Sequence, residues 1–208
     1  MAHHFLEGHP GTGYDVFMPE CRRAFEPGGM FFFTLVTHQR KGLLCEPLGR
    51  GCLRRAFKTV QAKYPFDVVG IVLLPDHLHC LWKLPDNDSD FSIRWQYIKG
   101  EFTRNWRAGG GGDERVSPSR RRRREREVWQ RRFWEHAIRE ERDMIRHLDY
   151  IHYNPVKHGL ARCPHQWESS TFDQWVRKRV YDPDWQCQCT GQHRQPPDFD
   201  LIECLCGE

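Results

Sequence analysis

Two short apolar runs, separated by a proline and an aspartate, constrain the fold of this chain more than any other feature. FDVVGIVLL begins at Phe66, HLHCLWKL begins at His77, and Pro75 and Asp76 lie between them. Runs of this length, rich in β-branched and aromatic residues and broken by turn residues, are typical of adjacent antiparallel strands. The sequence therefore predicts a β-hairpin here.

The segments on either side predict further strands and helices. MFFFTLVTHQR, from Met30, has the composition of a strand, and so does WQRRFWEHAIR, from Trp129. Apolar residues recur at helical spacing in three windows, which predict three helices. The first contains Leu53, Phe57, Val60 and Tyr64. The second contains Trp95, Ile98, Phe102 and Trp106 and is expected to begin at Asp88 or Ser89, and the third contains Met144, Leu148 and Ile151 and ends near Pro155. This order predicts an α+β fold, a ferredoxin-like antiparallel sheet flanked by helices.

Length and local composition predict one domain with appendages. A chain of 208 residues is long enough to bury one sizeable core. We expect a flexible segment at 1–28, a folded domain at 29–178 and a cysteine-containing tail at 179–208. Within the domain, 107–127 holds four consecutive glycines and five consecutive arginines. That composition predicts a disordered, mobile loop, because it offers too little apolar surface to offset the entropy of ordering.

Charge and hydropathy exclude some classes of protein. The net charge is only +4, but 32 Lys plus Arg against 28 acidic residues still allow a strongly basic face. No apolar run approaches the length of about 18 residues that a membrane-spanning helix needs, and the N-terminus lacks the pattern of a secretory signal. We therefore expect a cytoplasmic protein without membrane contact.

Nine cysteines divide into two groups. Five are scattered singly and are expected to be small hydrophobic residues rather than a disulfide framework: Cys21, Cys45, Cys52, Cys80 and Cys163. Four lie in the tail as two C-x-C pairs, Cys187 with Cys189 and Cys204 with Cys206. Four thiols could close a structural zinc site, although zinc sites more often use C-x-x-C pairs. Zinc in the tail, as part of a nucleic-acid adaptor, is thus one hypothesis.

The HLH sequence places two imidazoles on one face of a predicted strand. Side chains alternate along a strand, so His77 and His79 point the same way, and both rings could ligate one cation. Two ligands leave a site open for a third ligand and for substrate oxygen. The alternative is that both histidines are polar surface residues.

The last predicted helix offers a nucleophile and a third ligand. Tyr150 and Asn154 lie at i and i+4, on one helix face. A phenol with a pKa of about 10 gives its oxyanion more readily than an aliphatic alcohol does, and it also leaves more readily. The alternative for Tyr150 is a packing role, and the sequence alone does not exclude Tyr153 as the nucleophile.

Four blocks together resemble the REP-associated tyrosine transposases, single-tyrosine members of the HUH endonuclease superfamily. The blocks are LLPDHLHCLW, FSIRWQYIKGEFT, RFWEHAIR and HLDYIHYNPVKHGL, within a match of roughly 30–172. The resemblance implies that His77 and His79 bind a divalent metal, Mg²⁺ or Mn²⁺, with Asn154 as a third ligand. It also implies that Tyr150 is the nucleophile and Tyr153 a packing residue.

The resemblance further implies a site-specific single-stranded DNA endonuclease and strand transferase. It would act at hairpins of palindromic repeats, leaving a 5'-phosphotyrosine on the protein and a free 3'-hydroxyl on DNA, in a bacterial, nucleoid-associated setting. The alternative is a domesticated protein that binds repeat DNA without productive transposition. Whether the chain acts as a monomer or a homodimer stays open.

Basic residues are the predicted DNA contacts, because they neutralise phosphates. The candidates are Arg94, Lys99, Arg104, Arg120, Arg121, Arg122, Arg131, Arg132 and Arg139. Trp129, Phe133 and Trp134 interleave with arginines and could stack on bases or pack in the core. Glu135 and His136 are kept outside the metal set, with a role in orienting a ligand, touching DNA or packing.

Overall fold

The computed structural model describes residues 27–111, 128–189, 195–200 and 202–203. Its strands are Met30–Val36 (β1), Asp67–Leu73 (β2), His77–Lys83 (β3) and Trp134–Ile138 (β4). Its α-helices are Pro47–Lys63 (α1), Phe91–Ala108 (α2), Glu141–Lys157 (α3) and Phe172–Arg177 (α4). Short 3-10 helices lie at His38–Arg40 and Pro164–Gln166.

The four strands form one sheet in the order β2-β3-β1-β4, and every neighbouring pair is antiparallel. Combined with the chain order of β1, α1, β2, β3, α2 and β4, this is the ferredoxin-like arrangement. The predicted α+β fold class is confirmed, including the hairpin of β2 and β3.

Helices cover both faces of the sheet, and β1 shows why the sequence looks apolar throughout. Phe31, Phe33 and Leu35 face α1 and α2, while Phe32 faces α3. A strand covered on both faces has no solvent side, so apolar residues occupy successive positions. The polar exception is Thr34, which is buried beside β3.

A glycine in β2 lets α3 lie close to the sheet. A Cβ atom at Gly70 would come within 2.7 Å of Leu148 Cδ1, closer than two carbon atoms can pack. The register also shifts between Val68 and Gly70, as it does at a β-bulge. Gly70 therefore sets the distance at which α3 presents its side chains to β3.

The outer edge of β2 is hydrogen-bonded by the segment that follows α3. Leu73 N–H donates to the Ser169 carbonyl at 2.8 Å, and Thr171 N–H donates to the Ile71 carbonyl at 3.0 Å. The indoles of Trp167 and Trp175 donate to the Leu73 and Val69 carbonyls at 2.8 and 2.9 Å. The Ile71 N–H donates to Thr171 Oγ1 at 2.9 Å.

Some element boundaries differ from the prediction. Helix α2 begins at Phe91 with Asp90 as its N-cap, accepting from Ile93 N–H at 2.9 Å, because Asp88 pairs with an arginine instead. Strand β4 begins at Trp134, and Trp129 forms only an isolated bridge with Thr37.

Parts of the predicted appendages contact the body. Tyr181, Phe199 and Ile202 are buried, although 179–208 was expected to be a tail. Helix α2 extends through Ala108, inside the predicted loop of 107–127. Residues 1–26 and 112–127, which carry most of the predicted flexible regions, lie outside the described residues. In the part of the chain that the structure describes, no helix is long and apolar enough to cross a bilayer.

Candidate active site

The two histidines of β3 lie side by side on the face that α3 covers. Both rings are buried, and their centroids are 5.0 Å apart. Their neighbours in the strand, Leu78 and Cys80, pack on the opposite face against α1 and α2. The alternative of two surface histidines is therefore wrong.

Nδ1 of each imidazole lies within hydrogen-bonding distance of a different side chain. His77 Nδ1 lies 2.6 Å from Asp76 Oδ1, and His79 Nδ1 lies 2.9 Å from Thr34 Oγ1. These contacts fix both ring orientations and make Nε2 the nitrogen that could ligate a metal. Burial acts to raise the pKa of Asp76, but hydrogen bonds and charge from His77 and Arg40 outweigh it and hold that pKa below its usual value.

Helix α3 presents a stripe of side chains to these histidines. The ring of Tyr150 lies 5.1 Å from that of His79, and the ring of His158 lies 5.3 Å from that of His77. Asn154 is one helical turn from each, so it lies between them on the same face. His158 was not predicted, although its i+4 spacing from Asn154 was a usable signal.

The side chain of Asn154 is a polar amide in the interior of the protein. It is fully buried, and neither Oδ1 nor Nδ2 has a partner among the residues that the structure describes. An orphaned buried amide costs roughly 1–3 kcal/mol. A metal beside the two imidazoles would satisfy its oxygen, so the residues present fit such an ion.

Tyr150 is fully buried, and residues near the C-terminus help to cover it. Its ring packs against Phe199 at 5.3 Å and lies beneath the Lys157 ammonium at 5.1 Å. Lys157 in turn pairs with Glu203 at 3.0 Å. Tyr153 packs against Phe199 as well, at 5.9 Å, on the side of Trp185.

A second cluster adjoins Tyr150 along α3. Asp143 Oδ2 lies 2.9 Å from His136 Nε2, and Asp143 Oδ1 lies 3.0 Å from His147 Nδ1. Burial acts to raise the pKa of Asp143, but the hydrogen bond from His136 and that from the Arg139 N–H outweigh it and lower the pKa. Burial lowers the pKa of His147. His136 was singled out from its sequence context, but Asp143 and His147, which are spaced i and i+4, were not predicted.

The predicted DNA contacts differ widely in exposure. Arg94 is buried, and its guanidinium binds Asp88 at 2.7 Å and the Pro65 carbonyl at 2.7 Å. Its prediction as a DNA contact is therefore wrong, because the group is already paired inside the protein. Lys99 Nζ donates to the Gln130 carbonyl at 2.9 Å, and burial lowers the pKa of Lys99 to about 8.

The other candidates lie at the surface or outside the described residues. Arg131, Arg132 and Arg139 are exposed, as is Arg104, which pairs with Glu101 at 2.7 Å. Arg120, Arg121 and Arg122 lie outside the described residues. Arg139, Arg142 and Arg146, with Glu140 and Asp143, line a groove that was not predicted.

The interleaved aromatic residues pack inside the protein. Trp129 is buried against Phe102, with ring centroids 5.0 Å apart. Phe133 packs against the α1 and α2 side of the sheet, and Trp134 packs against the α3 side. Of the two alternatives for these rings, the core role holds for Trp129.

Cys45, Cys52 and Cys80 are free, as expected, and Cys21 lies outside the described residues, but Cys163 departs from the prediction. Cys163, expected to be an isolated hydrophobic residue, is joined to Cys187 by a disulfide, and Cys189 Sγ lies 3.2 Å from Cys163 Sγ. The tail pair Cys204 and Cys206 lies outside the described residues. Sequence spacing gave no signal for Cys163, which is 24 residues from Cys187.

An inner strand of the antiparallel sheet carries two histidines that face the covering helix and its tyrosine, and comparison with known proteins identifies the class as a DNA-processing enzyme of the HUH transposase type. No family model matches the chain. Curated relatives do: a protein of Haemophilus influenzae, provisionally named REP-associated tyrosine transposase, is 42% identical over 169 residues, 81% of this chain and 93% of the relative. The REP-associated tyrosine transposase of Escherichia coli K12 is 40% identical over 168 residues, 81% of this chain and 91% of the relative.

A solved structure is similar over most of its length. It is a REP-associated tyrosine transposase bound to a REP hairpin, 38% identical, with a TM-score of 0.68, covering 88% of this chain and 95% of that one. The present chain belongs to the REP-associated tyrosine transposases.

Proposed function

We propose that this chain nicks and rejoins single-stranded DNA beside a REP-type hairpin, with Tyr150 as the nucleophile. The observation that carries the proposal is the convergence of Tyr150 with the two histidines of β3 and the orphaned amide of Asn154. A chain that only bound DNA would gain nothing from keeping an unsatisfied amide in its core.

In the proposed reaction the phenol oxygen of Tyr150 attacks the scissile phosphorus. The new O–P bond replaces the P–O3' bond, so the DNA 5'-phosphate becomes linked to Tyr150. The phenol loses its proton, and the leaving 3'-oxygen takes one up to become a hydroxyl, so the step is balanced. No water is consumed, and attack by a 3'-hydroxyl on the phosphotyrosine reverses the step.

His77, His79 and Asn154 are the proposed ligands of a divalent metal. Two imidazoles and one amide oxygen suit Mn²⁺ better than Mg²⁺, which prefers an all-oxygen environment. When bound, such an ion supplies Lewis-acid polarisation of the phosphate and orients it. Asp76 and Thr34 hold the imidazoles in place through Nδ1, so neither ring has to reorient on binding.

The proposed DNA partner is a REP-type hairpin, the ligand that the similar solved structure contains. The exposed arginines at the ends of β4, Arg131, Arg132 and Arg139, are candidates for phosphate contacts, as are Arg142 and Arg146 in the adjoining groove. Arg131 and Arg132 precede β4, the strand that carries His136, and Arg139 follows it. Such contacts would position DNA without reading its sequence.

The test is a denaturing gel with labelled repeat DNA and Mn²⁺. We expect a metal-dependent covalent adduct that is absent in Tyr150→Phe and retained in Tyr153→Phe, the matched control on the same helix. His77→Ala should remove the adduct while sparing much of the hairpin affinity, since binding contacts are spread over a larger surface. An adduct that survives Tyr150→Phe and is lost in Tyr153→Phe would refute the assignment.

One observation favours a second candidate, a hairpin-binding protein that does not complete transposition. Tyr150 has no exposed surface, and Phe199 lies against its ring. Hairpin binding without any adduct, both in the full chain and in a chain ending before residue 195, would favour this reading. An adduct that appears on truncation would favour an enzyme whose nucleophile is covered.

A further inference from the structure

Three cysteines from two separate segments meet after α3. Cys163 precedes the 3-10 helix at Pro164–Gln166, and Cys187 and Cys189 follow the turns after α4. The three sulfur atoms all lie within 4.8 Å of one another. We propose that, when the Cys163–Cys187 disulfide is reduced, Cys163, Cys187 and Cys189 supply three of the four ligands of a zinc site that links the start and the end of the segment after α3.

The surrounding backbone holds the sulfur atoms in place. Gln188 N–H donates to the Arg162 carbonyl at 3.1 Å, which ties together the residues next to each cysteine segment. Cys187 N–H donates to the Asp184 carbonyl at 3.0 Å within the turn. Cys163 and Cys187 are buried, whereas Cys189 is exposed. Ligands held in this way need little rearrangement to bind a metal.

A disulfide and a zinc site differ in what they do with the third sulfur. A disulfide between Cys163 and Cys187 uses two sulfur atoms and gives Cys189 no role. Tetrahedral zinc, with Zn–S distances of about 2.3 Å, places its sulfur ligands about 3.8 Å apart. The 3.2 Å between Cys163 Sγ and Cys189 Sγ is close to that spacing. Zinc accounts for all three residues once a thiol reductant has supplied the two electrons and two protons that convert the Cys163–Cys187 disulfide to two thiols. Each of the three thiols then releases one proton on binding zinc.

The segment has a reason to need such a site. Between α3 and Cys189 it contains only α4, of six residues, and a 3-10 helix of three residues. Few backbone hydrogen bonds of regular structure support it, yet its tryptophans and Thr171 complete the outer edge of β2. A structural zinc ion supplies folding energy where a small core cannot.

The test is the zinc content of the full chain, purified under reducing conditions without chelator and measured by mass spectrometry of the metal. We expect about one zinc per chain in the wild type. Cys163→Ser and Cys189→Ser should each lose most of it, and Cys45→Ser, the same change at a cysteine outside the cluster, should retain it. Since Cys163 is buried, Cys189→Ser repeats the test at an exposed sulfur where misfolding does not confuse the result.

A second measurement identifies the ligands. The chain reconstituted with Co²⁺ should show the thiolate-to-metal absorption of tetrahedral sulfur coordination, weakened in Cys189→Ser and unchanged in Cys45→Ser. A reduced chain that takes up no zinc or cobalt, with Cys163 and Cys187 found as a disulfide by peptide mapping, would overturn the proposal. Zinc that persists in Cys163→Ser and disappears in Cys204→Ser/Cys206→Ser would also overturn it, in favour of the two C-x-C pairs.

Discussion

Asp76 is expected to set the metal affinity of the proposed site, because it holds His77 by a 2.6 Å contact to Nδ1. The lowered pKa of Asp76 means that it is ionised at neutral pH. The ionised carboxylate therefore holds the His77 ring in a fixed orientation through Nδ1. Loss of such a partner typically weakens metal affinity or activity by about 10- to 100-fold, which corresponds to roughly 1.4–2.7 kcal/mol.

Two substitutions separate the charge of Asp76 from its hydrogen bond. Asp76→Asn retains an acceptor at the same place and should raise the Mn²⁺ concentration for half-maximal adduct formation by about tenfold. Asp76→Ala removes both the charge and the acceptor and should approach about 100-fold. Because the defect lies in affinity, saturating Mn²⁺ should restore most of the rate.

The assay is a Mn²⁺ titration of the initial rate of adduct formation with labelled repeat DNA. Asp67→Asn is the matched control, since Asp67 is exposed at the start of β2. An Asp76→Ala protein whose Mn²⁺ dependence stays within about twofold of wild type would refute the reasoning. So would a folded Asp76→Ala protein whose lost rate no Mn²⁺ concentration restores.

Three other perturbations test separate parts of the structure. Burial lowers the pKa of His152 to about 3, whereas a histidine in the unfolded chain has a pKa of about 6.5. Between these two pH values only the unfolded chain binds the extra proton. The stability that the fold has above a pH of about 6.5 is therefore lost as the pH falls. Between pH 7 and pH 5 the wild type should therefore lose about 2 kcal/mol more unfolding free energy than His152→Asn; denaturant titrations at both pH values measure this, and equal losses would contradict it. Phe199→Ala should speed adduct formation by about tenfold or more, because burying a phenylalanine stabilises by roughly 1.5–3 kcal/mol; an unchanged rate in the gel assay would show that Phe199 does not limit access. Arg142→Ala with Arg146→Ala should reduce the slope of log affinity against log salt for hairpin DNA by about 2, as measured by fluorescence anisotropy, whereas Arg54→Ala on α1 should leave it unchanged; identical slopes would place the groove outside the DNA interface.

The sequence predicted the fold well, because the strands and helices follow from local patterns of apolar residues. The β-branched hairpin and the apolar stripes of α1, α2 and α3 appear where the spacing placed them. Strand alternation also placed His77 and His79 on one face, since that depends only on backbone geometry.

Contacts between distant segments were harder to predict. Arg94 looked like a surface cation, yet it lies at i+3 from Phe91 on the apolar face of α2 and reaches Asp88; spacing could have revealed this burial. Nothing local marked Cys163 as a neighbour of Cys187, because their proximity depends on the turns between them.

The hydrogen-bonded edge of β2 bears on how copies of this chain can associate. An exposed edge strand is a template on which another strand can add, in a dimer or in an aggregate. Here the carbonyls of Val69, Ile71 and Leu73 already accept hydrogen bonds, and the N–H groups of Ile71 and Leu73 already donate them. A neighbouring strand would first have to displace Trp167 and Trp175. The segment after α3 therefore blocks the addition of another strand at the β2 edge of the sheet.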